Sequence, residues 1–366
     1  MKKNLLLILF SVLFFSAYTQ PYENSWINYS QEYYKIKVWQ NGINRISQQT
    51  LVFSGFSTFG IDPRKIQLYH NGVEQYIYIQ GESDGVFDAT DFIEFYGQPN
   101  DGSFDQKLYE DTNWHPTPNY SLFTDTSVYF LTYSTTTNGK RLTVQSNNNF
   151  SSFSPSSYFI KETIAEGKDL ISSGIFGYNR GRNDQSIFYT ESEGWGAVFG
   201  NYAGGNHPVT LPIGTDKVYT SGPNAEITMC FGGVNNPPHN ISASFPGINL
   251  TDTYYYQDLK KYYFSISPAS FSTASSNLIL NSTTANPSSS PDYSMFYWMT
   301  LKYPHTFDLE GQSKFKLLLP DDLSQAKSRM DITNFNSGGS SWKVLMRSAS
   351  PLRGSRRGSS ARPAGA

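Results

Sequence analysis

The sequence predicts an all-β protein in which an N-terminal β-rich domain is followed by a β-sandwich of the jelly-roll or immunoglobulin-like type. Throughout the 366-residue chain, short runs of aromatic and β-branched residues alternate with polar ones. Clusters of Gly, Pro, Asn and Ser separate these runs at the spacing typical of a sandwich. Helical signals are few, since only residues 48–53 and 155–163 suggest short helices. We therefore expect several antiparallel sheets and little helix.

The N-terminal half opens with two predicted hairpins. Alternation over residues 34–38 leads into Asn41-Gly42, and alternation over residues 66–70 leads into Asn71-Gly72. Asn-Gly supplies the left-handed backbone that a tight hairpin turn requires. Between residues 97 and 119 the density of Gly, Pro, Asn and Asp predicts a loop. Further strands are predicted at residues 76–79, 92–96, 128–133, 141–144 and 187–190.

The C-terminal half reads as a second all-β run. We place the boundary between the two domains near residues 200–208, where Gly, Asn and Pro concentrate, which gives domains of residues 20–204 and 205–345. A single composite domain is the alternative. The strands of this half are predicted at residues 225–231, 241–245, 262–266, 278–280, 295–303 and 315–319.

The first residues form a predicted signal peptide. Lys2 and Lys3 precede an apolar run over residues 5–15, which is too short to span a bilayer. Small residues at Ala17 and Thr19 predict cleavage after Thr19, so that residues 1–19 are removed; an uncleaved membrane anchor is the alternative. No other apolar stretch approaches the length of a membrane span. We expect an exported protein without a transmembrane helix in the mature chain.

The composition of the last residues differs from that of the rest. Residues 346–366 are rich in Arg, Gly, Ser, Ala and Pro, and they offer little apolar surface to bury, which predicts disorder. A frameshift or an artificial junction explains this tail, and a basic tail that binds an acidic surface is the alternative. The net charge of the whole chain is −2, which argues against nucleic-acid binding.

The single cysteine, Cys230, has no partner for an internal disulfide. It lies within an apolar strand pattern, which predicts a buried, inert thiol. The chain contains no G-x-S-x-G turn and no cluster of His or Cys with the spacing of a zinc site. The sequence therefore predicts no catalytic residue and no bound organic cofactor.

One acidic run suggests a metal. Asp84, Asp88 and Asp91 partly match an oxygen-rich calcium loop, although Gln80 stands where such a loop begins with Asp. A solvated β-turn, with the carboxylates accepting local hydrogen bonds, is the alternative that we favour. Calcium is the one cofactor that the sequence suggests.

Several aromatic residues suggest a surface on which sugar rings stack. The candidates are residues 254–256, residues 297–298 and Trp195. Consecutive strand residues point to opposite faces, so at least one of each pair faces the core, and packing is the interpretation that we favour. Carbohydrate is nevertheless retained as a candidate ligand.

Five segments in order resemble a known family. The longest begins IQLYHNGVEQYIYIQ and ends SVYFLTY, and a second contains the sequence SEGWG. Together they resemble the N-terminal, non-catalytic region of gingipain-like cysteine peptidases, in particular the long-form PorU-type sortases of the type IX secretion system. The segments lie at residues 26–47, 66–133, 192–196, 297–315 and 332–344.

The resemblance implies a function for the whole family. Its complete members act at the outer membrane or cell surface, where they remove C-terminal sorting signals from cargo proteins and attach the cargo to a glycolipid. Their catalytic domain is expected about where this chain stops, so this chain would be the truncated front portion, serving folding, positioning or partner binding. Its expected partners are the missing peptidase domain or other components of type IX secretion. A freestanding cell-surface adhesion or carbohydrate-binding sandwich is the alternative.

The resemblance transfers no catalytic residue. None of the five histidines is followed by Gly, as the catalytic histidine of the family is, and Cys230 lies in a strand pattern. Because the N-terminal region of such enzymes can present a basic residue to the active site, Arg180 or Arg182 is a candidate for partner binding. A solvated Arg-Gly-Arg turn is the alternative.

Overall fold

The computed structural model describes residues 24–142, 152–172, 176–179, 182–185, 187–202, 205–235, 238–283, 291–320 and 329–336. The predicted signal peptide at residues 1–19 and the predicted tail at residues 346–366 lie outside the described residues. Within these ranges the chain forms twenty strands, one α-helix and a few 3₁₀ turns, which confirms the all-β class. No helix of the described part has the length and apolarity needed to cross a membrane.

The first unit contains two antiparallel sheets. One has the strand order β1-β7-β3-β4 and the other has the order β2-β6-β5. Their apolar faces share one core, which includes Leu68, Ile93 and Leu131. The elements are β1 (Tyr34–Val38), β2 (Gly42–Ser47), α1 (Gln48–Phe53), β3 (Ile66–His70), β4 (Val73–Gln75), β5 (Ile77–Gln80), β6 (Phe92–Gly97) and β7 (Ser127–Tyr133).

The first predicted hairpin is wrong. β1 pairs with β7, whereas β2 pairs with β6 in the other sheet. Gly42 has a φ of +138°, and the chain leaves this turn toward the second sheet instead of folding back on β1. Asn71 and Gly72 do form the predicted tight turn, with φ of +50° and +78°, and they join β3 to β4. The second strand of this predicted hairpin does not stay beside β3. Only β4 pairs with β3, and from Ile77 onward the chain enters the second sheet as β5.

The second unit is a sandwich of two antiparallel sheets. Five strands of the larger sheet have the order β13-β12-β20-β15-β18, with β8 also paired to β20 and β9 to β12; the smaller sheet has the order β14-β19-β16-β17. Phe199, Phe231 and Leu280 belong to the core between them. The strands are β8 (Phe159–Glu166), β9 (Leu170–Ser172), β10 (Phe176–Asn179), β11 (Arg182–Gln185), β12 (Gly194–Tyr202), β13 (Gly205–His207), β14 (Val209–Gly214), β15 (Ala225–Gly233), β16 (His239–Phe245), β17 (Ile248–Tyr254), β18 (Leu259–Ile266), β19 (Ser275–Ser282) and β20 (Asp292–His305).

Three local predictions for residues after β7 are wrong. The helix predicted at residues 155–163 is replaced by β8, which pairs with β20 from Trp298 to His305. This ladder satisfies the backbone of the segment more fully than a short isolated helix would. The strands predicted at residues 187–190 and 315–319 are reduced to isolated bridges at Tyr189 and Leu318. The helix predicted at residues 48–53 is confirmed as α1, which Ser47 caps.

The division of the chain into domains after residue 204 stays a prediction. β8 and β12 precede that residue, and both pair with β20, which follows it. The shared core of the first unit extends from Val38 to Tyr129 and Leu131. The pairing of β8 and β12 with β20 favours a division of the chain between β7 and β8.

Candidate functional site

A long excursion of the first unit packs against the second. Residues 105–122, here called the junction segment, lie between β6 and β7, overlap the loop predicted at residues 97–119 and include two short 3₁₀ turns. Two indole groups of the larger sheet donate to its backbone: Trp298 Nε1 lies 2.7 Å from the Pro116 carbonyl oxygen, and Trp195 Nε1 lies 3.0 Å from that of Leu122. The junction segment is therefore tied to β12 and β20.

Two tyrosines of the junction segment extend the contact. The Tyr120 hydroxyl lies 3.0 Å from the carbonyl oxygens of both Gly167 and Trp195, and the Tyr109 hydroxyl donates to the Glu193 carbonyl. Burial is the main reason that the pKa of Tyr120 lies above its usual value. Each hydroxyl meets a backbone acceptor, so the aromatic bodies are buried without leaving a polar group unpaired.

Glycine permits the closest approach at the junction. A Cβ at Gly194 would lie 2.6 Å from Cγ of Pro116, and a Cβ at Gly196 would lie 2.3 Å from Cγ of Met295. Both glycines belong to the SEGWG segment, which also contains Trp195. The two glycines of this short motif leave room for close contacts because they have no side chain, and its indole adds a hydrogen bond.

Cys230 lies beneath the junction segment. Its side chain is fully buried in a small cluster with Met295, Tyr297 and Trp298 on the outer face of the larger sheet. Burial raises the pKa of the thiol to about 12. Since the thiolate is the nucleophilic form, the group is unreactive at neutral pH. The prediction of a buried, inert cysteine is confirmed.

A buried polar network joins the two sheets of the sandwich. His239 and Asp292 are both fully buried, and Nδ1 of the imidazole lies 2.7 Å from a carboxylate oxygen. Nε2 lies 2.9 Å from the Asn235 carbonyl, and Ser282 donates to Asp292 at 2.8 Å. Because a carbonyl oxygen only accepts, Nε2 donates in its contact with Asn235.

The network contains Ser, His and Asp without forming a catalytic triad. Ser282 contacts the carboxylate of Asp292, whereas a triad requires the hydroxyl to contact the imidazole. Neither His239 nor Asp292 is accessible to a substrate. Sequence reasoning missed this pair because 53 positions separate the two residues. We assign it to the stability of the sandwich.

His70 and His305 have structural surroundings. The His70 ring stacks on Tyr129 at a centroid distance of 4.1 Å. His305 Nε2 lies 2.8 Å from a carboxylate oxygen of Glu310. Burial is the main cause that lowers the pKa of both histidines. Each ring is thus packed or hydrogen-bonded within its own unit.

The three aspartates of the calcium hypothesis make local backbone contacts. Asp84 accepts from the Val86 amide at 2.9 Å, Asp88 accepts from the Thr90 amide at 3.1 Å, and Asp91 accepts from the Asp88 amide at 3.0 Å. Burial raises the pKa of Asp91. Among the described residues, no group of three His, Cys, Asp or Glu side chains is placed to hold a metal ion. Calcium binding at this loop stays a prediction.

One of the two arginine candidates lies in the two-stranded β-ribbon formed by β10 and β11. Arg180 falls outside the described residues. Arg182 is the first residue of β11, and its backbone is opposite Asn179 of β10. The structure thus gives the place of Arg182 in the ribbon, and its role in partner binding stays a prediction.

The proposed aromatic platform is divided between core and surface. Tyr254, Tyr297 and Trp298 are buried, which confirms the packing interpretation for them. Tyr255 and Tyr256 are more than half exposed. These side chains consequently do not form one flat surface.

A shallow groove of about 420 Å³ lies on the first unit, at a place that the sequence did not indicate. Trp26 stands at its side, against Tyr69 and Phe130 at centroid distances of 5.2 and 5.5 Å. Its lining is rich in amides and includes Asn24, His70, Asn71, Gln98 and Asn100. The groove thus combines an aromatic side chain with several amide groups, and the carboxylate of Asp101 also lines it.

Comparison with known proteins gives structural likenesses only. No family model and no curated protein matches the chain. Dimeric latent PorU from Porphyromonas gingivalis is 14% identical over 76% of this chain and 25% of its own, with a TM-score of 0.45. This chain thus spans about a quarter of that protein.

Two carbohydrate-binding modules are also similar over part of the chain. One is the CBM36-1 domain of a xylanase from the hindgut metagenome of Trinervitermes trinervoides, 14% identical over 38% of this chain and 96% of its own, with a TM-score of 0.23. The other is a CBM36 module in complex with calcium and xylotriose, 10% identical over 38% of this chain and 98% of its own, with a TM-score of 0.22. At these values the likenesses assign neither function nor ligand.

Proposed function

We propose that this chain is the exported, non-catalytic N-terminal portion of a PorU-like, gingipain-type cysteine peptidase of type IX secretion, and that it acts as a binding platform for the catalytic domain. The platform positions that domain or assists its folding and performs no chemistry of its own. It is expected to work at the cell surface or outer membrane.

The observation that carries this proposal is where the family-like segments meet. Three of the family-like segments, which are far apart in sequence, meet at the junction. Trp195 of the SEGWG segment contacts Leu122 of the segment at residues 66–133. Trp298 of the segment at residues 297–315 contacts Pro116, which also belongs to the segment at residues 66–133. The resemblance therefore includes the residues that fix one unit against the other, which is what a positioning platform requires.

The chemistry of the described residues supports a binding role. A cysteine peptidase needs an accessible thiol with a depressed pKa and a histidine beside it. Cys230 has the opposite properties, since it is fully buried and its pKa is raised to about 12. His239 is engaged by Asp292 inside the sandwich. The activity of such a peptidase would thus have to reside in another part of the protein.

A binding experiment tests the proposal. The mature chain, beginning at Gln20, is titrated against the separately purified catalytic domain of a PorU-type peptidase by isothermal calorimetry. We expect a 1:1 complex, and a higher soluble yield of the catalytic domain when the two are co-expressed. Absence of both effects would refute the platform function.

Two glycine variants serve as a matched pair in that experiment. Gly194→Ala places a Cβ 2.6 Å from Pro116 Cγ and loosens the junction, whereas Gly205→Ala meets nothing within 4 Å. We expect the first to weaken association and the second to leave it unchanged. Equal affinities for the two variants would contradict the role of the junction.

The groove beside Trp26 favours carbohydrate binding as a second candidate function. The backbone of Gln98 is held from both sides, because its main-chain N–H donates to the Tyr129 hydroxyl at 2.9 Å and its main-chain carbonyl accepts from Ser127. Amide side chains next to an indole suit a neutral sugar ring, which has apolar faces and hydroxyl edges. This function would fit a surface adhesion protein as well as a domain of a larger enzyme.

Xylotriose and cellotriose are the probes for this second function. Trp26→Ala removes the aromatic wall, and Asn71→Gly removes an amide while keeping a residue that tolerates the φ of +50°. Trp39→Ala is the matched control, because Trp39 is 60% exposed and does not line the groove. Binding that is lost in both groove variants and kept in the control supports the site. No binding by the wild-type chain removes xylotriose and cellotriose as ligands.

A further inference from the structure

His115 is enclosed at the junction without a hydrogen-bond partner. Its side chain is only 3% exposed, and neither ring nitrogen bonds to any group of the described residues. Thr117 Oγ1 and Asn119 Nδ2 of the same segment are also buried and unpaired there. Hydrogen bonds elsewhere hold the segment in place, above all from Trp195 and Trp298. The imidazole of His115 is thus buried where no acceptor is present for the second N–H that protonation would add.

The charged groups around His115 have opposing effects. Burial is the largest influence and lowers the pKa of the imidazole. Asp105, in the same segment, favours the charged ring, whereas Lys261 of β18 disfavours it. The Tyr109 ring packs on the imidazole at a centroid distance of 5.0 Å and remains neutral near pH 7. Asp105 itself accepts from the Leu122 amide at 2.7 Å, so it already has a partner.

We propose that the junction segment is a proton-sensitive latch, in which protonation of His115 releases residues 105–122 from the outer face of the larger sheet. A buried charge without an acceptor costs several kcal/mol, whereas the released segment exposes the ring to water. Acid therefore favours the released state. This inference concerns the connection between the two units and does not depend on a catalytic domain or on the proposed platform function.

The sign follows from linkage. The closed state holds the His115 pKa below the ordinary value of about 6.5. The stability that neutral His115 gives to the closed state is fully present above about pH 6.5. It is lost as the pH falls from that value toward the lower pKa of the closed state. Glu193, whose carbonyl accepts from Tyr109, has a pKa raised by burial, so its own protonation favours the closed state. Acid therefore releases the segment only if protonation of His115 destabilises the closed state more than protonation of Glu193 stabilises it.

Cys230 is a built-in reporter of the latch. It is the only cysteine of the chain, and it lies with Trp298 under the junction segment. While the latch is closed the thiol is fully buried. Release of the segment uncovers the face that contains the thiol. The rate of thiol labelling therefore measures latch opening without an added probe.

The experiment measures Cys230 labelling by a small disulfide reagent on the whole mature chain between pH 7.5 and 5. Each rate is divided by that of glutathione at the same pH, which removes most of the intrinsic pH dependence of thiol chemistry. We expect the normalised rate to rise about fivefold or more as the pH falls. The rise should persist at low urea with little dependence on urea, which distinguishes local opening from global unfolding.

Three variants decide the outcome. His115→Gln removes the titration and should abolish the rise, whereas His207→Gln, at an exposed histidine outside the junction, should retain it. Lys261→Gln removes the nearby cation that lowers the closed-state pKa of His115, which brings that pKa closer to the ordinary value and should make the rise smaller; Lys260→Gln, whose cation pairs with Asp258, should leave the rise unchanged. A flat wild-type profile, or equal profiles for His115→Gln and wild type, would overturn the latch.

Discussion

Removal of the Asp292 carboxylate should be among the most damaging single changes in the sandwich. Asp292→Ala deletes a fully buried group that receives Nδ1 of His239 at 2.7 Å and the Ser282 hydroxyl at 2.8 Å. The imidazole remains buried and keeps its hydrogen bond to the Asn235 carbonyl. The substitution therefore leaves Nδ1 of a buried imidazole without its hydrogen-bond partner between the two sheets.

The magnitude follows from the hydrogen bonds that Asp292 makes. Each hydrogen bond lost from a buried group costs about 1–3 kcal/mol. Asp292 makes two short ones, with His239 and Ser282, and a longer one of 3.3 Å with Ser294. We therefore expect the free energy of unfolding to fall by about 3–5 kcal/mol. Ser282→Ala, which leaves the contact between His239 and Asp292 intact, should cost about 1–3 kcal/mol.

Urea unfolding at pH 7, followed by tryptophan fluorescence, measures both values. Asp258→Ala is the control, because that carboxylate pairs with Lys260 at an exposed position and should contribute no more than about 1 kcal/mol. A shift of the midpoint at an unchanged m-value would attribute the loss to the native state. If Asp292→Ala costs no more than Asp258→Ala, the assignment of a stabilising buried network to His239 and Asp292 is wrong.

Three further predictions concern the junction and pH. Gly194→Ala should lower the free energy of unfolding by about 1–3 kcal/mol because its Cβ would lie 2.6 Å from Pro116, whereas Gly205→Ala should change it by no more than about 0.5 kcal/mol in urea unfolding. Trp195→Phe keeps the ring and removes the indole donor, so a loss of about 1–2 kcal/mol is expected, and an unchanged midpoint would refute the hydrogen bond. Burial lowers the pKa of His70, so the contribution of this histidine to stability is fully present above about pH 6.5 and is lost as the pH falls. His70→Gln should therefore flatten the decline of Tm between about pH 6.5 and 5. An equal decline of Tm in the variant and the wild-type protein would contradict this prediction.

Local patterns in the sequence predicted much of the fold. Alternation defined β1, β3 and β15, and the Asn71-Gly72 turn adopts the left-handed backbone that these residues favour. The buried state of Cys230 also followed from its apolar strand context. These features depend on residues within a few positions of one another. Propensity and periodicity are sufficient for such features.

Local patterns failed where distant segments compete for the same backbone. Residues 155–163 have a weak helical signal, yet the exposed edge of β20 offered β8 a full ladder of hydrogen bonds. Likewise, the Asn41-Gly42 turn resembles that of a hairpin, but β7 and β6 are the strands that pair with β1 and β2. Pairing between segments far apart in sequence decided both cases, because intrinsic preferences of short segments amount to only about 1 kcal/mol or less per residue.

The sequence by itself determined the all-β class, the positions of most strands and the absence of a reactive setting for Cys230. Only the tertiary structure decided that a loop rich in Gly, Pro and Asn fastens the two units together, with the side chain of His115 from that loop enclosed at the contact. It also decided that His239 meets Asp292 inside the sandwich. The physical reason is that alternation and turn chemistry act between near neighbours, whereas burial of a polar group becomes favourable only when the complete fold brings a distant partner to it.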